Sequence, residues 1–125
     1  MKTDLGTLGS DEEKAIREIH RTEEFDEFYD SAETKIKEKT EYILNLISQE
    51  KVVNSKFVKK LKNSDFYEMR ISVGNEYRVI LFTIDNECFV ESENILLLNG
   101  FMKKSTKDYA KQIRIAEKIL KKFTK

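Results

Sequence analysis

One arginine stands alone in a strongly apolar stretch of the chain. The segment from Tyr77 to Ile84 is apolar apart from Arg78 and Thr83. An unpaired charge in such surroundings costs several kcal/mol, so the Arg78 guanidinium must reach water, a carboxylate or a phosphate. Arg78 is therefore the strongest single candidate for a functional residue.

Positive charge is concentrated near the C-terminus, although the net charge of the chain is zero. Residues 101–125 contain nine basic residues (Lys or Arg) and two acidic residues (Asp or Glu). Residues 1–50 contain seven basic and fourteen acidic residues. A basic cluster on a folded domain attracts polyanions such as RNA. Taken alone, the same lysines also fit a solvated helix face, and the acidic half fits either a basic partner or a solubilising surface.

The residues around Arg78 are predicted to form two paired strands. Over residues 66–73 apolar and polar residues alternate, which is the period of a strand with one buried face. Glu68 and Arg70 belong to the polar set and are expected to point outward. Gly74-Asn75 marks a hairpin turn, and residues 77–84 form the returning strand. The predicted buried set of the first strand is Tyr67, Met69, Ile71 and Val73.

A third buried strand completes a predicted antiparallel meander. It contains the apolar run 95–98, follows a turn at residues 85–86 and is closed by Asn99-Gly100. A further short strand is predicted at residues 15–20, before the first helix.

Three helices are predicted beside these strands. Thr22 is a candidate N-cap for a helix over residues 23–48. A shorter helix is expected from Asn54 or Ser55, and the last helix begins near Thr106. The apolar stripe of the first helix is Phe25, Phe28, Tyr29, Ala32, Ile36, Ile43 and Ile47, and that of the last is Tyr109, Ile113, Ala116, Leu120 and Phe123. With two helices on one face, the other face of the sheet is expected to be partly open beside the basic segment.

Length and composition favour one globular domain. A chain of 125 residues with 39% hydrophobic residues can bury a core without disulfides or metals. The single cysteine, Cys88, excludes an internal disulfide, and no Cys/His cluster has the spacing of a zinc site. The sequence shows no signal peptide and no apolar run of membrane-spanning length, so we expect a cytoplasmic protein without a membrane partner. Residues 1–14 are expected to be a flexible tail and residues 15–125 the domain.

The sequence resembles the RelE/ParE superfamily in two segments, FYEMRISVGNEYRVILF and ILLLNGFMKKSTKDYAKQIRIAEKILKKF. In particular it is similar to HigB-like and phage-derived RelE-like toxins, which pair a Y-E-L/M-R strand with a Y-R-V/I strand and a GF-x-KK segment. The resemblance covers roughly residues 15–124. It implies an α+β fold of RelE type, with an N-terminal strand, a two-helix hairpin, a three-stranded antiparallel meander and a C-terminal helix.

The resemblance implies the toxin of a type II toxin–antitoxin pair, acting as a ribosome-dependent mRNA endoribonuclease. A cognate antitoxin, a helix-turn-helix protein of HigA type, would neutralise it, and operator DNA would be bound only through that antitoxin. No metal or cofactor is expected. The 2′-hydroxyl of the RNA attacks the adjacent phosphodiester, which requires a base, cations for the phosphorane charge and an acid for the leaving 5′-oxygen.

The basic and aromatic site residues are carried over from the family position by position. Arg70 and Arg78 match basic residues of the two hairpin strands and would clamp the scissile phosphate. Lys103 or Lys104 matches the basic position after the third strand. Tyr109 matches a tyrosine that stacks on or orients a base, although its place on the apolar stripe also fits a core residue.

The family's proposed base is the position where this chain departs from RelE itself. Glu68 stands where RelE has a lysine, whereas HigB-like relatives often have glutamate, so a carboxylate would take the role of base. A simpler interpretation makes Arg70 an ordinary surface arginine that pairs with Glu68 or another acidic residue. Five further lysines are assigned to RNA contact around this centre: Lys59, Lys60, Lys62, Lys107 and Lys111.

Two other functions fit the same resemblance. A ParE-like protein would bind DNA gyrase and cut nothing, because one fold serves both activities. A non-toxic relative would act only as a binding module. The NGFMKK context favours the ribonuclease.

Overall fold

The computed structural model describes residues 15–123, so the tail expected at residues 1–14 lies outside the described residues. The five strands in this range are β1 (Glu18–Arg21), β2 (Val58–Lys60), β3 (Phe66–Val73), β4 (Asn75–Thr83) and β5 (Asn94–Met102), and the helices are α1 (Glu23–Ser31), α2 (Thr34–Gln49) and α3 (Asp108–Lys121). They form one sheet of order β1-β5-β4-β3-β2 with helices on both faces. This is the predicted α+β fold.

The predicted meander is confirmed by the pairing of β3, β4 and β5. β3 pairs antiparallel with β4 and β4 with β5, while β1 lies parallel to β5 at the sheet edge. Gly74 turns the chain between β3 and β4 with a positive φ of 72°, a conformation that suits glycine. Gly100 was expected to end the third strand, but β5 continues through it to Met102. A Cβ at Gly100 would come within 2.5 Å of the Phe28 ring, so the absence of a side chain lets α1 pack closely on β5.

The helix predicted over residues 23–48 is two helices. Thr22 is the N-cap of α1 as predicted, since its side chain accepts a hydrogen bond from the Phe25 amide. Ala32 and Glu33 both adopt extended backbone, with ψ of 154° and 158°, and this separates α1 from α2. The apolar stripe still faces one core, because Phe25, Ile36 and the rest of the stripe pack against the same face of the sheet.

The short helix predicted from Asn54 or Ser55 is wrong. Asn54 does start a turn, since its carbonyl accepts the amides of Phe57 and Val58 and its side chain accepts the Lys56 amide. The chain then extends into β2, which pairs antiparallel with β3 at the sheet edge. Backbone pairing with β3 therefore overrides the local helical spacing of the apolar residues.

The second face of the sheet is covered in part by α3. Ala116 and Ile119 of α3 are buried against a second apolar cluster that includes Ile80 and Leu98. Phe123 was predicted on the apolar stripe, but it follows the end of α3 and is exposed. The face expected to be partly open is therefore closed along α3, and polar side chains collect near the start of that helix.

Candidate active site

The register of β3 and β4 places the predicted catalytic side chains on the face that α3 covers. Arg70 lies directly opposite Arg78, and Glu68 lies opposite Ile80, whose side chain packs under α3. Tyr109, in the first turn of α3, reaches down onto the same position. Two strands and one helix therefore bring these groups together.

Glu68 is the centre of this cluster. The Tyr109 hydroxyl donates a hydrogen bond of 2.5 Å to Glu68 Oε1, and Arg78 Nε lies 3.3 Å from the same oxygen. Arg70 Nε lies 3.6 Å from Oε2. The expectation that Glu68 points outward into solvent is wrong, because its side chain is only 6% exposed beneath α3. A buried carboxylate is retained here because two guanidinium groups and a phenol surround it.

Arg78 is also buried, at 2% exposure, and its nitrogens have different partners. Nε donates to the Tyr109 hydroxyl at 3.0 Å, while Nη1 donates to Glu76 Oε1 at 3.1 Å and to the Tyr77 carbonyl at 2.9 Å. Nη2 makes no hydrogen bond with residues 15–123. Nη2 is nevertheless in contact with solvent. Within the same range, Asn99 Oδ1 is the one fully buried side-chain N or O atom that lacks a hydrogen-bond partner, so Nη2 is not fully buried. Arg78 therefore anchors the cluster and has a donor left for a ligand.

Burial and the hydrogen bonds of the cluster shift the pKa values of Arg78, Tyr109 and Glu76. Burial by itself lowers the pKa of Arg78, but its hydrogen bonds to Tyr109 and Glu76 outweigh this and raise it. Burial and the hydrogen bond to Glu68 raise the pKa of Tyr109 above its ordinary value. The hydrogen bonds from Ser72 and Arg78 lower the pKa of Glu76. At neutral pH Tyr109 is therefore a protonated phenol, placed between the Arg78 and Glu68 side chains.

The two lysines after β5 occupy different places. The Lys103 ammonium lies 5.8 Å from the centre of the Tyr109 ring, and the Lys103 amide donates to the Glu76 carbonyl, so this residue borders the cluster. Lys104 is exposed, and its amide donates to the Asp108 carboxylate at the start of α3. Of the two alternatives for the basic position, Lys103 is the one beside Tyr109.

The five lysines assigned to RNA contact do not share one surface. Lys59 lies opposite Glu68 in the β2–β3 register, and cross-strand partners project to the same face, so Lys59 flanks the cluster. Lys60 projects to the opposite face, where its ammonium lies over Tyr67 and donates to the Ser64 carbonyl. Three more are exposed in the loop after β2 and around the start of α3: Lys62, Lys107 and Lys111.

Two residues of the site were not singled out from the sequence. Glu76 binds Arg78, and the Ser72 hydroxyl donates to Glu76 at 2.7 Å. Glu76 could have been identified from the sequence, because it stands two residues before Arg78 and side chains at that spacing share one face of a strand. Their role is to orient the Arg78 guanidinium from the side away from Glu68.

The site has the components of acid–base chemistry on a phosphodiester. A carboxylate in direct contact with a phenol can accept a proton, and the neighbouring guanidinium and ammonium groups can neutralise a phosphorane. Within residues 15–123 no three His, Cys, Asp or Glu side chains are placed to hold a metal ion. None of the helices in the described range is long and apolar enough to cross a bilayer.

Comparison with solved structures defines the fold as that of RelE. A doubly substituted variant of the E. coli toxin RelE in the free state matches with a TM-score of 0.57 and 13% identity, over 80% of this chain and 96% of that chain. The isolated E. coli RelE toxin matches with a TM-score of 0.51 and 12% identity, over 77% and 94% of the two chains. The predicted resemblance to RelE is thereby confirmed at the level of the fold.

The family is shown by the sequence itself. The family described as phage derived protein Gp49-like matches residues 23–121, so this chain belongs to the Gp49-like family. A comparison with curated protein sequences gives no match. The phage-derived, RelE-like assignment is confirmed, and the HigB-like subgroup stays a prediction.

Proposed function

We propose that this protein is a RelE-type toxin, an endoribonuclease that cuts messenger RNA on the ribosome and is neutralised by a cognate antitoxin. The observation that carries the proposal is the contact of Tyr109 with both Glu68 and Arg78, beside the partly exposed Arg70. A carboxylate, a phenol and two guanidinium groups lie within hydrogen-bond or ion-pair distance, and with the neighbouring Lys103 ammonium they supply the base, the cations and the acid that 2′-hydroxyl attack needs.

The basic residues would hold the scissile phosphate. Arg70 is 30% exposed at its side chain, and Nη2 of Arg78 is free of other described partners, so both can donate to a phosphate oxygen. Lys103 beside Tyr109 adds an ammonium group at the edge of the site. Because these groups are positioned before the substrate arrives, they stabilise the extra negative charge of the transition state without reorganisation.

Glu68 would act as the base through Tyr109. Glu68 is too buried to meet a ribose directly, whereas Tyr109 is half-buried and its hydroxyl already donates to Glu68. As the 2′-hydroxyl proton passes to the Tyr109 oxygen, the phenolic proton passes to Glu68, so Tyr109 stays neutral. The 2′-oxygen bonds to phosphorus and the 5′-oxygen leaves with a proton from Lys103. The products are a 2′,3′-cyclic phosphate and a 5′-hydroxyl.

The ribosome is part of the proposal because the protein offers only a small binding surface of its own. A few basic side chains cannot fix a flexible single strand in the in-line geometry that attack requires, whereas a ribosome presents the strand already positioned. The remaining proposed partners are a HigA-type antitoxin and, through it, operator DNA. The proposed compartment is the cytoplasm.

The test compares two forms of one transcript with the purified full-length chain. We expect rapid cleavage of the transcript on translating ribosomes, cleavage slower by a hundredfold or more of the free transcript, and cyclic phosphate ends. Equal cleavage of both forms would contradict the ribosome requirement. No cleavage of either form, with inhibition of DNA gyrase supercoiling instead, would replace the nuclease with the gyrase inhibitor.

A further inference from the structure

A small basic pocket lies outside the cluster, between α2 and the edge of the sheet at β2 and β3. It has a volume of about 170 Å³ and is lined by Lys39, Lys56, Phe57, Arg70 and Ser72. Pockets for drug-sized ligands are typically about 300–1,000 Å³, so this one fits a single planar ring or one phosphate group. None of the sites described above includes Lys39, Lys56 or Phe57.

Cations and aromatic rings lie together in this pocket and at its edge, where Tyr42 adjoins Phe57. The Lys56 ammonium lies 5.1 Å from the centre of the Phe57 ring, and the Lys39 ammonium lies 5.5 Å from it and 5.2 Å from the Tyr42 ring. Tyr42 packs edge-on against Phe57 at 6.0 Å and is 53% exposed. Aromatic faces bordered by cations bind single-stranded nucleic acid, because bases stack on the rings while the cations meet the phosphates.

The two lysines have no competing acidic partner. Neither Lys39 nor Lys56 forms an ion pair within residues 15–123, although α2 also contains acidic residues. Their ammonium groups lie at the ends of flexible four-carbon chains and can swing from the ring to an anion. Two unpaired cations converging on one ring favour an anionic ligand that also has a flat apolar surface.

Arg70 connects this pocket to the proposed active site. Its side chain lines the pocket and also lies 3.6 Å from Glu68, while its amide donates to the Phe57 carbonyl at 2.8 Å. The Phe57 backbone is therefore held at a fixed distance from Glu68 and Arg78 by the strand itself. A strand of RNA whose scissile phosphate meets Arg70 would place a neighbouring nucleotide over the pocket.

We propose that this pocket is a nucleotide-binding subsite, in which one RNA base next to the cleavage point stacks on Phe57 while Lys39, Lys56 and Arg70 hold the adjoining phosphate. The identity of the ligand as messenger RNA rests on the proposed function. The pocket itself is tested without cleavage, so that the two proposals fail separately.

The experiment titrates a short single-stranded RNA oligonucleotide into the isotopically labelled full-length chain and follows the backbone amide resonances. The variants are Phe57→Leu, which keeps an apolar side chain without the flat ring, and Lys39→Gln. The matched control is Lys51→Gln, because Lys51 faces Glu91 in the β4–β5 connection, at the opposite end of the sheet from the β3–β4 turn. An oligonucleotide with one abasic site and a peptide of glutamates with the same charge are the comparison ligands.

We expect the resonances of residues 39, 56, 57 and 70 to shift on addition of RNA. Phe57→Leu should raise the Kd by between about fivefold and a hundredfold, the loss of one stacked base. Lys39→Gln should lower the slope of log Kd against log salt by about 0.7, the loss of one phosphate contact on a single strand. Lys51→Gln should change neither quantity. The abasic oligonucleotide should bind wild type and Phe57→Leu equally.

Three results would overturn the subsite: unchanged affinity in Phe57→Leu, equal effects of Lys39→Gln and Lys51→Gln, or glutamate peptide binding as tightly as RNA. The last would make the pocket a protein-docking surface. Transcript cleavage on ribosomes by the wild-type chain is measured in parallel. If RNA binding shows the expected pattern and no transcript is cut, the subsite stands and the nuclease proposal fails; if transcripts are cut and Phe57→Leu binds normally, the subsite alone fails.

Discussion

Replacing Arg78 by alanine should destabilise the protein as well as affect its chemistry. Arg78 is 2% exposed and the Glu68 side chain 6%, so the substitution leaves a buried carboxylate with a poorer set of partners. Removing one member of a buried ion pair costs about 3–5 kcal/mol. Because Arg70 and the Tyr109 hydroxyl still contact Glu68, we expect the lower end, about 3 kcal/mol. For a domain of this size that lowers the Tm by on the order of 10 °C.

A double substitution separates stability from catalysis. A chain that carries both Glu68→Met and Arg78→Met has neither of the two buried charges. Replacing a buried ion pair by apolar side chains often leaves the free energy of unfolding unchanged. The double variant should therefore be within roughly 1.5 kcal/mol of wild type and yet inactive. Arg114→Ala, an exposed arginine on α3, is the control and should change stability by less than about 0.5 kcal/mol.

Urea unfolding measures the free energy of unfolding of wild type and of each variant. A cycle built from wild type, Arg78→Met, Glu68→Met and the double variant should give a coupling of about 3–5 kcal/mol between the two positions, because each single variant leaves one buried charge without its main partner and the double variant leaves none. A loss below about 1 kcal/mol in Arg78→Ala, or no coupling in the cycle, would refute the reasoning, because it would mean that the pair is well solvated and contributes little.

Three further outcomes are expected. Gly100→Ala should destabilise by about 1–3 kcal/mol in urea unfolding, because its Cβ would meet the Phe28 ring, and Phe28→Leu in the same chain should recover part of the loss. Since burial raises the pKa of Tyr109, its contribution to stability is lost as the pH rises above about 10, and Tyr109→Phe should flatten the alkaline fall in Tm. Hydrogen bonds from the Ser92 hydroxyl and from the Glu93 and Asn94 amides lower the pKa of Asp85 to about 2, so the contribution of Asp85 to stability is lost only as the pH falls from about 4 towards 2. Ser92→Ala should raise this pKa in a carboxyl NMR titration, and an unchanged value would contradict the role of the hydroxyl.

The parts of the fold that the sequence predicted correctly are those with a strong local period. Alternation over residues 66–73 predicted both the strand and its buried face, and Met69 and Ile71 are fully buried in the core on that face. The hairpin at Gly74 and the meander followed for the same reason. Thr22 was identifiable as an N-cap because its hydroxyl and the acidic first turn act within a few residues.

The errors lie where distant contacts decide the structure. Residues 57–61 have a helix-like spacing of apolar side chains, but Val58 pairs with Met69 of β3, and sequence periodicity contains no information on that pairing. No glycine or proline marks the break between α1 and α2 in the sequence. Gly100 was interpreted as a turn residue, whereas its role is to admit the ring of Phe28.

The candidate site was predictable as a set of residues but not as an arrangement. The family resemblance supplied Arg70, Arg78 and Tyr109 as members of one site. The burial of Glu68 could not be predicted, because it depends on α3 crossing the sheet from about forty residues further along the chain. Lys60 shows the same limit, since its orientation away from Lys59 follows only once residues 58–60 are known to form a strand rather than a helix.

A single-turnover cleavage rate on programmed ribosomes tests most directly whether Tyr109 connects Glu68 to the RNA. Tyr109→Phe keeps the ring that packs against Phe101 and removes only the hydroxyl between Glu68 and Arg78. With the fold verified by its urea midpoint, we expect the rate to fall by on the order of 100- to 1000-fold, since one proton-transferring group is lost. A folded Tyr109→Phe variant that cuts at the wild-type rate would contradict this role of Tyr109.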